Sequence, residues 1–206
     1  MKKLLFFFAL MAGAAVQYCG AQNYTVYAGA VPGATEYVFV TNGSHAVGFV
    51  TEDFRPCESM PLKVTNVTPT SLVMMADGFD SSCNARVSAN NIKIADFGEY
   101  GVFAKGTPAE YCFFTDGEFV LLGNKEGMED ADSNPIGMGV LYRDGEMSGM
   151  PVCIEGLSAS GFTLVDNSDC MDEGQSFKFV KEGDEMVGTV KFADGATRTL
   201  RLKKIL

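Results

Sequence analysis

The sequence predicts an all-β protein assembled from antiparallel hairpins as a sandwich or a barrel. Three observations carry that expectation. Short runs rich in Val, Phe, Tyr, Thr and Ile recur every 8 to 12 residues along the chain. Asp-Gly pairs stand at 77–78, 116–117, 144–145 and 194–195, and their tolerance of positive φ suits two-residue hairpin turns. Beyond the first twenty or so residues, no segment sustains the apolar period of a helix.

The opening segment is MKKLLFFFALMAGAAVQYCGAQ. Lys2 and Lys3 give a cationic start, Leu4 to Val16 an apolar stretch, and Cys19-Gly20-Ala21 small residues for cleavage. This is the anatomy of a secretory signal peptide over residues 1–21, too short for a permanent membrane anchor. Cys19 would be the lipidated residue of a lipoprotein, but Gln17 and Tyr18 stand where small residues are needed, so anchoring there is not expected. The expectation is export to a periplasmic or extracellular space, with no transmembrane segment in the mature chain.

Strands are expected at EYVFVT (36–41), VGFVT (47–51), SLVMMA (71–76), YCFFT (111–115), EFVLLG (118–123), SFKFVK (176–181), VGTVKF (187–192) and TRTLRLKK (197–204). FFTDGEFVLL reads as a hairpin. So does TVKFADGATRTLRL, which sets Val190, Phe192, Thr197, Thr199 and Arg201 in cross-strand relationships. Strands of an outer-membrane barrel need about 9–11 residues and aromatic girdles. Most runs here are shorter and the chain has no Trp, so that architecture is not expected.

The runs come in two related sets. Aligning MPLKVTNVTPTSLVM (60–74) with MPVCIEGLSASGFTL (150–164) brings together Leu62 and Val152, Val64 and Ile154, Val67 and Leu157, Leu72 and Phe162, and Met74 and Leu164. The polar joint TPTS falls on SASG. Upstream, TEYVFVTNG resembles GEFVLLGNK, with about eight extra residues in the second copy before the match resumes. An internal duplication is expected, with one β repeat over 22–108 and a second over 109–206. Two small modules and one pseudosymmetric domain both satisfy that pattern.

Charge narrows the partners. The chain carries 16 basic and 26 acidic residues; without Lys2 and Lys3 the balance is 14 against 26, a net charge of −12. Such a surface repels phosphate backbones and anionic headgroups, so neither nucleic acid nor a passive membrane surface is an expected partner. An unknown protein or a small apolar ligand fits better.

Five cysteines follow the leader: Cys57, Cys83, Cys112, Cys153 and Cys170. In an exported chain disulfides are the first expectation, and no C-x-x-C spacing suggests zinc or redox chemistry. A hairpin around TPTS with opposing residue numbers totalling about 140 would bring Cys57 beside Cys83. Cys153 and Cys170 miss the equivalent register by a few positions and form a weaker pair, which leaves Cys112 as a buried small hydrophobe.

Catalytic patterns are sparse. The single histidine, His45, lies in the turn TNGSHAVG, and GLSASG lacks the final glycine of a nucleophile elbow. No catalytic residues are expected. Asp130, Asp132 and Asn134 alternate like the first ligands of a calcium loop, yet Pro135 and Leu141 stand where an EF-hand needs Gly and Glu. DNSDCMDEG (166–174) is a second acidic candidate. No cofactor is expected beyond a calcium ion at one of these loops. Asn23, Asn42 and Asn66 begin glycosylation sequons, which matter only in a eukaryotic source. The functional expectation is an exported, non-enzymatic β protein of the envelope or extracellular space with a binding or structural role. Its alternatives are a secreted hydrolase using loop carboxylates and a lipocalin-like carrier of a small apolar ligand.

Overall fold

The structure is a computed structural model describing residues 23–32, 35–75, 82–117, 119–124, 128–129, 135–143, 149–166, 175–192 and 195–206. The expected signal segment with Cys19, the acidic segment holding Asp130, Asp132 and Asn134, and Cys170 with its neighbours lie outside these residues.

Strands dominate. The first half contributes β1 (Thr25–Val31), β2 (Thr35–Thr41), β3 (Ala46–Glu52), β4 (Arg55–Thr68), β5 (Ser71–Met75), β6 (Ser82–Val87), β7 (Asn91–Ile94) and β8 (Val102–Lys105). Each pairs antiparallel with the next, and β1 pairs with β8 to close a barrel. The second half contributes β9 (Tyr111–Thr115), β10 (Phe119–Asn124), β11 (Met128–Glu129), β12 (Pro135–Arg143), β13 (Gly149–Glu155), β14 (Gly161–Asp166), β15 (Ser176–Glu182), β16 (Glu185–Lys191) and β17 (Thr197–Lys204). Here β10 pairs with β12 and β17 returns to β9, so this sheet also closes, with the two-residue β11 hanging off β12.

The expected hairpins are present. Val120 pairs with Thr115 across Asp116-Gly117, and Thr189 with Thr199 across the 192–196 turn. Gly117 and Gly195 both adopt positive φ, at 95° and 82°. β1, β6 to β8 and a 3-10 turn at Ala95–Tyr100 lie outside the strands the sequence predicts. β6 is short and mostly polar, β7 and β8 are four residues each, and the turn's Gly98 breaks its helical geometry.

The two halves match in detail. Leu72 and Met74 on β5 point into the first barrel, and Phe162 and Leu164 on β14 into the second. Val67 and Leu157 pack half-buried against the same two interiors. The turns repeat even their hydrogen bonds. Thr68 Oγ1 donates to Ser71 O and Ser158 Oγ to Gly161 O. The carbonyls of Thr70 and Ser160 accept from Val87 N at 2.8 Å and Lys181 N at 2.9 Å.

An eight-stranded barrel is just wide enough for side chains to fill its interior. Tyr27, Phe39, Leu72, Met74, Ile92 and Phe103 fill the first. Phe114, Leu121, Phe162, Leu164, Phe179 and Leu202 fill the second. Phe162 and Phe179 stack with centroids 5.0 Å apart.

A third apolar cluster lies between the barrels. Val26, Ala28, Val38, Val40, Val47 and Phe49 come from β1–β3, and Tyr111, Phe113, Val120, Leu122 and Tyr142 from β9, β10 and β12. Equivalent strands of each half therefore meet, as in an isologous contact. These strands are buried on both faces, which is why their sequences read as continuous apolar runs; β9 is buried at all five positions. The outward strands alternate instead, as in TRTLRLKK of β17, where Leu200 and Leu202 face in.

Candidate functional site

The inter-barrel seam gathers the buried polar groups. Among the described residues, the fully buried charged side chain is Glu36, 0 % exposed on β2. Alternation along β2 puts Glu36 on the same face as Val38 and Val40, toward the second barrel. Thr107, in the linker 106–110 between β8 and β9, donates its hydroxyl to Glu36 Oε1. The hydroxyl of Tyr111, the first residue of β9, lies beside this carboxyl and favours its charged form. That hydroxyl also lies 3.4 Å from Thr51 Oγ1 on β3, longer than a strong hydrogen bond. Glu36 Oε2 has no partner. Burial pushes the carboxyl above its usual range, and the neighbouring hydroxyls of Thr107 and Tyr111 offset only part of that shift.

The linker is tied to the first barrel and braced within itself. Gly106 adopts φ 96° and donates to Val26 O at 2.9 Å. The Ala109 N–H donates to Thr107 Oγ1 at 3.2 Å, orienting the hydroxyl that serves Glu36. A shallow groove of about 400 Å³ runs past Thr107, Ala109, Tyr111, Lys204 and Leu206.

A second polar contact crosses the seam. Ser59 on β4 hydrogen-bonds the Tyr142 hydroxyl on β12, and the Tyr142 ring stacks on Phe49 at 4.7 Å and 12°. Burial raises the Tyr142 phenol well above its ordinary value. Tyr24 adds a third link, donating to Gly117 O at 2.7 Å.

The cysteine expectations fare differently. Cys57 and Cys83 are not brought together by the hairpin. β4–β5 sets Val64 opposite Met74, two positions from the expected register, and β5 ends at Met75. Cys83 belongs to the next strand, β6, opposite Met74, and its thiol is free. Its level in the sheet is that of Val64, about 20 Å of strand from Cys57 at ~3.3 Å per residue. A disulfide needs Cα atoms within about 7 Å. Cys112 is buried in the second barrel and free, as a small hydrophobe would be. Cys153 is buried on β13 opposite Met138 and Val165.

His45 is exposed in the β2–β3 turn, where its backbone N–H donates to Asn42 Oδ1 at 2.7 Å. Its role there is in turn geometry. Among the described residues no three His, Cys, Asp or Glu side chains gather in a metal-holding arrangement. Among them, too, no helix is long and apolar enough to cross a membrane.

Glu36 itself escaped notice in the sequence. The cue was available: a carboxylate heading the apolar run EYVFVT, in a strand whose continuous hydrophobicity marks burial on both faces. Comparison with protein-family models, curated proteins and solved structures found no match.

Proposed function

We propose that this chain is an exported, non-enzymatic β protein of the cell envelope or extracellular space, acting as a rigid binding or structural body. The observation that carries the reading is the filling of both barrels. Phe39, Phe103, Phe162 and Phe179 occupy the interiors at 4 % exposure or less. Large rings at that burial leave the binding chemistry to outer surfaces and loops. The matched halves and their shared apolar seam support a body whose two outer faces are held at fixed separation.

Two measurements on the mature chain test this. Native mass spectrometry of protein purified from its own source is expected to give the bare polypeptide mass. A retained apolar molecule would overturn the reading in favour of a carrier. A screen with ester, peptide and polysaccharide substrates is expected to show no turnover; turnover abolished by substituting a loop carboxylate would establish a hydrolase instead.

A further inference from the structure

The seam contains a group that a purely structural weld does not need. Apolar contacts already hold the barrels together, yet Glu36 is placed among them with one oxygen unpartnered. Three parts of the chain meet here: β2 of the first barrel with Glu36, the linker with Thr107 bonded to that carboxyl, and the start of the second barrel with Tyr111, whose hydroxyl bonds Thr51 on β3 beside it. We propose that Glu36, Thr107 and Tyr111 form a pH-responsive latch across the seam: with the carboxyl neutral, linker and second barrel close on the first, and ionisation loosens the junction.

The physical basis is the asymmetry between the two oxygens. Ionisation strengthens the bond that Thr107 makes to the carboxyl. It also leaves a buried charge whose Oε2 has no donor, and such a charge is costly unless paired. Relief requires water or a new donor to reach Oε2. The linker is the covering element with the fewest apolar anchors, since Thr107 and Ala109 are only half-buried and Glu110 is exposed. Among the described residues, the titratable group facing Glu36 is Tyr111, itself raised by burial far above the working window, so it stays neutral. Thr51 on β3 and Thr107 do not titrate, and Glu52 and Glu110 point to solvent.

The sign follows from linkage. A carboxyl raised in the folded state is matched below its ordinary value and loses stability as pH rises through the folded value. Glu36→Gln keeps the shape and removes the titration. Unfolding of the mature chain and its E36Q variant should coincide near pH 4, with the variant melting several degrees higher near pH 8.5. Hydrogen exchange over residues 105–115, corrected for intrinsic rates, gives a local readout. Wild-type protection there should fall by up to about tenfold per pH unit between the ordinary carboxyl value and the titration midpoint and level off above it, while E36Q stays flat. Parallel pH profiles for the two proteins would overturn the latch. If E36Q fails to fold, wild-type protection that stays constant from pH 5 to 8.5 would overturn it alone.

Discussion

Replacing Phe49 tests whether the seam welds the two barrels into one folding unit. Phe49 is 0 % exposed, stacks on Tyr142 at 4.7 Å and lies 6.4 Å from Phe113, so its ring contacts the second barrel, not its own interior. Truncating a buried Phe to Ala costs about 3–5 kcal/mol, of which the ring pairing supplies roughly 0.5–1.5 kcal/mol. At about 2–4 °C per kcal/mol for a chain of this size, Phe49→Ala should lower Tm by about 6–20 °C. Phe49→Leu keeps most of the apolar volume and should cost less than about 1.5 kcal/mol beyond the lost stacking. Guanidinium unfolding can be followed by far-ultraviolet circular dichroism and by tyrosine emission, since the chain has seven Tyr and no Trp. The wild type should unfold in one transition seen alike by both probes. The Ala variant should show a lower midpoint, with the two probes separating if the barrels uncouple. A cost below about 1 kcal/mol, or a wild type that unfolds in two steps, would refute the shared-core argument.

Other expectations follow from single contacts. Gly188→Ala would set a Cβ 2.8 Å from both Lys178 O and the Phe179 ring, an overpacking cost of about 1–3 kcal/mol readable as a lower urea midpoint. Thr68→Ala and Ser158→Ala remove equivalent turn hydrogen bonds and should each cost about 0.5–1.5 kcal/mol; a clear difference between them would count against the matched turns. Mass mapping without reductant should recover no peptide joining Cys57 to Cys83, and finding that bridge would contradict the β4–β6 registers.

Much of the fold was legible because strand signals are local. Alternating or continuous apolar runs and Asp-Gly turns located eight strands to within a residue or two, and the residue match between 60–74 and 150–164 anticipated equivalent inward positions. Short polar strands such as β6, burial pattern eieBei, carry little of that signal. The expected Cys57–Cys83 pairing failed because it extended a hairpin past the point where the chain turns again. A register inferred from one turn holds only as far as its own strands, and β5 is five residues long.

By itself, the sequence determined the β character, the hairpin turns, the likeness of the two halves and the apolar patterning along individual strands. These depend on side-chain patterning over a few residues and on turn chemistry. Tertiary structure alone decided that each half closes into its own barrel, that β1–β3 meet β9, β10 and β12, and that Glu36 is sealed between them. Barrel closure depends on strands far apart in the chain, and a carboxylate's burial depends on what packs over it from the other half; neither is encoded in any short stretch of residues.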